Sequence, residues 1–349
     1  MTNHAEHISE TRPIVAVTMG DAAGIGPEVI AKALRAPEVR RLCKPLVIGD
    51  ARVFAPEDAV GPSRFAAGCD LQPVGDPAAL REAARGAAAD GWILDQGTLD
   101  PAVIAVGEVS PEAGRAAVAA VKRAVELALA GEVDAIATGP LHKEAMRLAG
   151  YAYIGHTEIL AEMTGASHAT TMLATEGLRV THVTRHVPFR EIADRITRDN
   201  VLETIAVTAD GMRAMGFAAP RLAVAGLNPH NGENGLLGRE ELDAIGPAVE
   251  AARARGIDAT GPIPADSVFF QAIRGDYDAV VTMYHDQGHI AVKTHGFEGS
   301  ITITLGLPII RTSADHGTAF DIAGQGVANP QSMIAAIVEA ARMAGAARE

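Results

Sequence analysis

Short runs of apolar and β-branched residues recur along the chain, each closed by glycine, an acid or a histidine. Residues 14–18, 45–49, 91–95, 134–138, 179–184, 221–226, 279–283 and 301–305 all read this way. Apolar runs of this length with little alternation predict strands buried on both faces. Between the third and fourth runs, Ser110-Pro111-Glu112 offers a cap, a first-turn proline and an early acid. Val118, Val121, Val125 and Leu129 then fall near helical spacing, and Gly131 closes the helix. Strand, helix and strand in that order predict an α/β fold with largely parallel sheets.

A chain of 349 residues is too long for one ordinary core, so two lobes are expected. The net charge of −13 argues against nucleic acid or an anionic membrane as a partner, while leaving room for a local basic pocket. Cys43 and Cys69 form no CxxC motif and no disulfide framework. With no signal peptide and no apolar run long enough to span a bilayer, the cytoplasm is the expected location. Residues 1–12 read as a polar tail, and His4 and His7 are given no role.

The chemistry gathers where strands end, which is where open α/β sheets hold their ligands. His186, His230 and His285 each stand just beyond a predicted strand. Three imidazoles around a divalent ion, with one position open, make a catalytic metal site. His182 is set aside because it alternates within its strand with Val180 and Thr184, and His289 and His295 are secondary at most. Asp266 and Asp286 are acids able to orient a histidine or move a proton. Lys293, eight residues after His285, and Arg311 suit a phosphate or carboxylate. His156-Thr157 opens a helical stretch, where Thr157 is either a plain N-cap or one of two donors aimed at an anion.

Two loops complete the set. Gly20 to Glu28 is a glycine-rich strand-to-helix turn with Pro27 in the first helical turn, lacking the G-x-G-x-x-G spacing. Residues 315–330 place His316, Gly317, Asp321 and Asn329 in a long loop before a final helix, a shape suited to an adenosine.

These two loops resemble the signature loops of the isocitrate and isopropylmalate dehydrogenases. Together with Thr138-Gly139-Pro140, Gly155-His156-Thr157, Leu227-Asn228-Pro229-His230, Tyr284-His285-Asp286-Gln287-Gly288 and Arg311-Thr312-Ser313, they resemble the 4-hydroxythreonine-4-phosphate dehydrogenase family. The resemblance covers nearly the whole chain except the amino-terminal tail and much of 50–105.

It implies two α/β lobes, 1–140 with 302–349 and 141–301, and an active site in the cleft between them. It also implies a homodimer sharing that site, NAD or NADP, and one divalent metal (zinc, manganese, cobalt or magnesium) on His186, His230 and His285. The substrate contacts carried over are His156, Thr157, Lys293, Thr302 and Arg311. Lys293, Asp266 and Asp286 are the candidates for proton transfer. Thr302 replaces an asparagine usual in the family, and Ala22 a proline.

The implied reaction is oxidation and decarboxylation of a 4-phosphorylated 3-hydroxy acid. 4-Phosphohydroxy-L-threonine, from pyridoxine biosynthesis, is preferred, with 4-phospho-D-threonate or 4-phospho-D-erythronate as alternatives. An aromatic dihydrodiol dehydrogenase and a non-catalytic phospho-metabolite binder are the remaining readings.

Overall fold

The computed structural model describes residues 12–55, 65–81, 90–166 and 169–347; His4 and His7 lie outside them. The chain divides into two compact units, Met1–Gly165 with Pro308–Glu349, and Ala166–Leu307.

The first unit holds β1 (Ile14–Thr18), β2 (Lys44–Gly49), β3 (Leu71–Pro73), β4 (Gly91–Asp95), β5 (Ala135–Thr138) and β12 (Arg311–Ala314). Their order is β3-β4-β2-β1-β5-β12, with parallel pairing throughout. Every residue of β1, β2, β5 and β12 is buried, which is why the first three read as apolar runs rather than alternations, whereas β12, Arg-Thr-Ser-Ala, carries no such run. The helices Pro111–Leu129 and Gln331–Ala346 pack against the central strands.

The second unit holds β6 (Thr170–Thr175), β7 (Leu178–His182), β8 (Leu222–Ala225), β9 (Ala259–Ile263), β10 (Ala279–Thr282) and β11 (Ile301–Leu305), in the order β11-β6-β7-β10-β8-β9. β7, β10, β8 and β9 run parallel, whereas β6 is antiparallel to both β7 and β11.

The division differs from the one expected at 140/141 and 301/302. The helices Lys143–Leu148 and His156–Thr164 stay with the first unit because Met146 and Ile159 bury against Val118 and Val121 of the long helix. β11 stays with the second because all five of its residues pair with β6. β6 and β9 had no apolar signature. β6 is half threonine, and β9 carries Gly261-Pro262, which an edge strand tolerates because no neighbour needs the missing N–H.

In each unit the carboxyl ends of the parallel strands align. Thr18, Thr138 and Ser313 share one level of the first sheet, and His182 and Thr282 share one level of the second. The loops after these residues carry the candidate chemistry. Among the described residues, no helix is long and apolar enough to cross a membrane.

The long helix begins as its sequence predicts, with Ser110 Oγ accepting from the Ala113 N–H at 3.2 Å. We expect Ser110→Ala to lower the unfolding free energy by about 1 kcal/mol, measured by urea denaturation.

Candidate active site

In the first unit the two signature loops are fastened to each other. The Ile25 N–H donates to Thr318 O at 2.9 Å. Gly24 permits this approach, because a Cβ there would lie 2.6 Å from the same Thr318 oxygen. Glu28 is fully buried, and its Oε1 accepts from the Ala328 N–H at 2.7 Å and from Lys32 Nζ at 2.8 Å. Lys32 also donates to the carbonyls of Gly326 and Ala328. A lysine and glutamate one turn apart on the first helix thus hold a loop some 300 residues away in sequence.

Of the residues expected to meet a cofactor, His316 points Nδ1 at Gly317 O, and its Nε2 is buried. Gly317 and Asp321 are exposed, whereas Asn329 Oδ1 accepts from the Gln331 N–H at the start of the final helix. That side chain is already engaged as a cap. His142 stacks on Phe320 of the same loop, with ring centroids 4.6 Å apart.

Asp21 went unnoticed in the sequence, where an acid in a glycine-rich turn carries no special signal. It is fully buried, with Oδ1 accepting from the Ala23 N–H and Oδ2 without a partner. Burial raises its carboxyl to about 6 against the backbone hydrogen bond that lowers it. A buried acid whose carboxyl titrates this high costs stability once ionised, which makes Asp21 a candidate functional residue.

Arg311 and His156 come together at the end of β5. Arg311 is buried and donates to Thr138 Oγ1 at 2.6 Å, and burial pulls its guanidinium down to about 9. His156 lies 3.1 Å from Gly139 O through Nε2. Burial and then the Arg311 charge hold His156 well below the ordinary histidine range. The ring is therefore neutral at physiological pH, with Nε2–H donating to the carbonyl and Nδ1 left as an acceptor. Thr157 is the second residue of its helix, and Gly155 takes the cap position. Thr157 is thus no N-cap, and its hydroxyl stands in the first turn, where an anion is favoured.

In the second unit His186 and His285 come together, with ring centroids 5.8 Å apart. His285 Nδ1 donates to Asp286 Oδ1 at 2.6 Å, which leaves Nε2 as the ring's acceptor atom. His182, set aside in the sequence, belongs to this group. It ends β7 rather than lying inside it, and its Nε2 is 3.1 Å from His289 Nδ1. The His289 ring in turn stacks on His285 at 3.6 Å. His295 contacts the Glu176 carbonyl and takes no part.

His230 stands apart from that pair. It lines a cavity of about 610 Å³ with Asp266, Tyr284, Asn228, Gln287 and Phe189. Its Nδ1 lies 4.0 Å from Asp266 Oδ2. The loop carrying it is a left-handed turn in which His230, Asn231, Gly232, Glu233 and Asn234 all have φ between 46° and 73°. Each non-glycine residue so placed costs roughly 1–2 kcal/mol, less for asparagine.

Among the described residues, no group of three or more His, Cys, Asp or Glu is placed to hold a metal. The donor chemistry fits a divalent ion, with imidazoles backed by carboxylates. The grouping within one chain does not: the three strand-end histidines separate into a pair and a single residue.

Lys293 lies on the helix His285–His295, with Nζ 4.9 Å over the Phe297 ring. Thr302 sits in the row of Leu173 and Val180, inside the sheet from the rim residue His182.

Residues 41–340 match the family model described as pyridoxal phosphate biosynthetic protein PdxA. The chain belongs to this family. It is 46% identical over 343 residues to the D-threonate 4-phosphate dehydrogenase of Cupriavidus necator, covering 97% of this chain and 99% of that one. The crystal structure of 4-hydroxythreonine-4-phosphate dehydrogenase from Klebsiella pneumoniae superposes with a TM-score of 0.83 at 45% identity, over 95% of this chain and 99% of that chain. The corresponding enzyme structure from Burkholderia phymatum gives 0.81 at 44%, over 95% and 98%. As a member of this dehydrogenase family the chain is an oxidoreductase, and the family implies a nicotinamide cofactor.

The buried acid gives a pH-dependent expectation. Because the folded carboxyl of Asp21 titrates at about 6 and the free one at 3.8, the folded state retains a proton that the unfolded chain has released between those values. Stability is therefore lost as pH rises through that window. Asp21→Asn should gain on the wild type by up to about 3 kcal/mol between acid and neutral pH, as read from urea unfolding across the range.

Proposed function

We propose that the protein oxidises and decarboxylates a 4-phosphorylated 3-hydroxy acid with NAD or NADP, and that 4-phospho-D-threonate is the substrate. The observation that carries this reading is the buried Arg311 beside a neutral His156 and the helix start at Thr157. A guanidinium that has lost water gains most from a phosphate, with its doubled charge and fork-matched oxygens. The choice of D-threonate follows the name of the Cupriavidus relative. The names of the two solved structures support 4-phosphohydroxy-L-threonine as the second candidate.

In the reaction, the hydroxyl proton leaves to a base and the carbon-bound hydrogen passes as hydride to the nicotinamide, giving a β-keto acid. The bond to the carboxylate then breaks, carbon dioxide departs, and the electron pair left behind is protonated as the enol becomes a ketone. Arg311 and Thr157 hold the phosphate, whose binding fixes the reacting carbon, and the Nδ1 of His156 accepts from a substrate hydroxyl. Asp286 orients His285, and Asp266 does the same for His230. Lys293 contributes positive charge near the substrate and the proton of the second step. His316 to Asn329 receive the cofactor, whose own chemistry accepts the hydride.

A divalent ion on His186, His230 and His285 would supply Lewis acidity toward the substrate hydroxyl. Since one chain offers a pair and a single histidine, the set is completed by a second copy in a homodimer with a shared active site. Phe270, Ile273, Ile290 and Phe297 support this, standing exposed on or just after the helices Ala265–Ile273 and His285–His295.

Reduced-nicotinamide absorbance with 4-phospho-D-threonate, and none with unphosphorylated D-threonate, is the expected result; equal rates with both would overturn the phosphate reading. Arg311→Gln should lower kcat/KM by about 10- to 100-fold, the worth of one hydrogen bond to a charged group.

Chelation should abolish turnover, and zinc, manganese, cobalt or magnesium should restore it. Full activity of a metal-free sample would exclude the metal.

Thr302→Asn tests the departure from the family pattern. The amide both donates and accepts through separate atoms, so kcat/KM for 4-phosphohydroxy-L-threonine should rise about three- to tenfold relative to 4-phospho-D-threonate. An unchanged ratio would mean that position 302 does not set the preference.

A further inference from the structure

The left-handed turn from His230 to Asn234 is strained, since only two of its residues are asparagines and one a glycine. What faces it is Glu241, 3% exposed, at the head of a π-helical turn. Its Oε1 accepts from the backbone N–H of Leu227 at 2.8 Å and of Asn228 at 2.7 Å. Its Oε2 accepts from Asn228 Nδ2 at 2.9 Å. Gly232, at the centre of the turn, lies against the same oxygen: a Cβ there would stand 2.9 Å from Glu241 Oε2 and 2.7 Å from Gly238 O, and its φ is +73°. A buried carboxylate is thus in contact with the loop on both sides of His230.

We propose that Glu241 is the positioning residue for His230. It touches neither substrate nor metal; it fixes the backbone from which the imidazole projects toward the cavity shared with Asp266. The chemistry explains why a carboxylate stands there. Three N–H donors converge on two oxygens, and only an ionised acid presents acceptors at both positions. Glutamine would turn an amide N–H₂ toward the N–H₂ of Asn228, and alanine would leave two partly buried backbone donors without this acceptor. Strained backbone at a functional residue persists only where its surroundings over-determine it, and Glu241 supplies that constraint.

The inference rests on the reading of His230 as a metal ligand, and its test separates the two. Zinc affinity is measured by titration calorimetry on chelator-treated full-length protein for the wild type, Glu241→Gln, Glu241→Ala and Gly232→Ala. Hydrogen exchange over residues 226–240 and thermal unfolding are followed in the same samples. Glu241→Ala and Gly232→Ala should bind zinc at least tenfold more weakly, with faster exchange confined to that segment, and Glu241→Gln should fall between them and the wild type. Should Glu241→Ala fail to fold, Glu241→Gln and Gly232→Ala carry the test. A wild type that binds zinc, with variants that match its affinity whatever their melting temperature, overturns the positioning role alone. A wild type that binds no zinc overturns the reading of His230 and this inference with it.

Discussion

A buried carboxylate must be met by donors, and in each unit of this protein one glutamate imposes that condition on a functional loop. Glu28 gathers Lys32 and the Ala328 N–H, and so ties the loop of residues 315–330 to the first helix. Glu241 gathers the N–H groups of Leu227 and Asn228 and the Asn228 amide, and so ties down the turn of His230. Glu28 meets its donors through Oε1 alone, its Oε2 being buried without a partner, so losing those donors too would cost more than a surface hydrogen bond gains. The loops are therefore held by the penalty for releasing them.

The histidines show a second use of the same logic. His285 is backed by Asp286 and covered by His289, which reaches on to His182. Neither outer ring needs to touch a ligand for the inner one to be oriented. In the first unit, by contrast, burial and then the Arg311 charge lower the affinity of His156 for a proton, so that this site keeps one cation and one neutral ring. That pairing suits a phosphorylated hydroxy acid, because the arginine supplies charge for an anion and the histidine an acceptor for a hydroxyl.

How much of this was legible depended on range. β1, β2, β5 and β10 announce themselves because burial on both faces demands an apolar run. The helix from Pro111 announces itself through Ser110, a cap that acts over three residues. β6 could not be read, because its buried Met172, Leu173 and Ala174 are flanked by half-buried threonines and its place is set by pairing with β7 and β11. His182 was misjudged for a related reason: alternation describes a strand but does not say which of its residues is the last one, at the rim.

The sequence by itself determined the local and the chemical: which stretches become strands, where the long helix starts, and which residue types stand after strand ends. Those properties depend on neighbours a few positions away. Only the tertiary structure decided that helices 143–148 and 156–164 belong with the first unit, since Met146 and Ile159 choose Val118 and Val121 by packing. Only it showed that His186 meets His285 while His230 stays apart, and that Asp21 is buried in a turn that looks polar. Distances between strand ends are set by sheet order, and the burial of an acid is set by what covers it. Neither quantity is carried by any residue or its sequence neighbours.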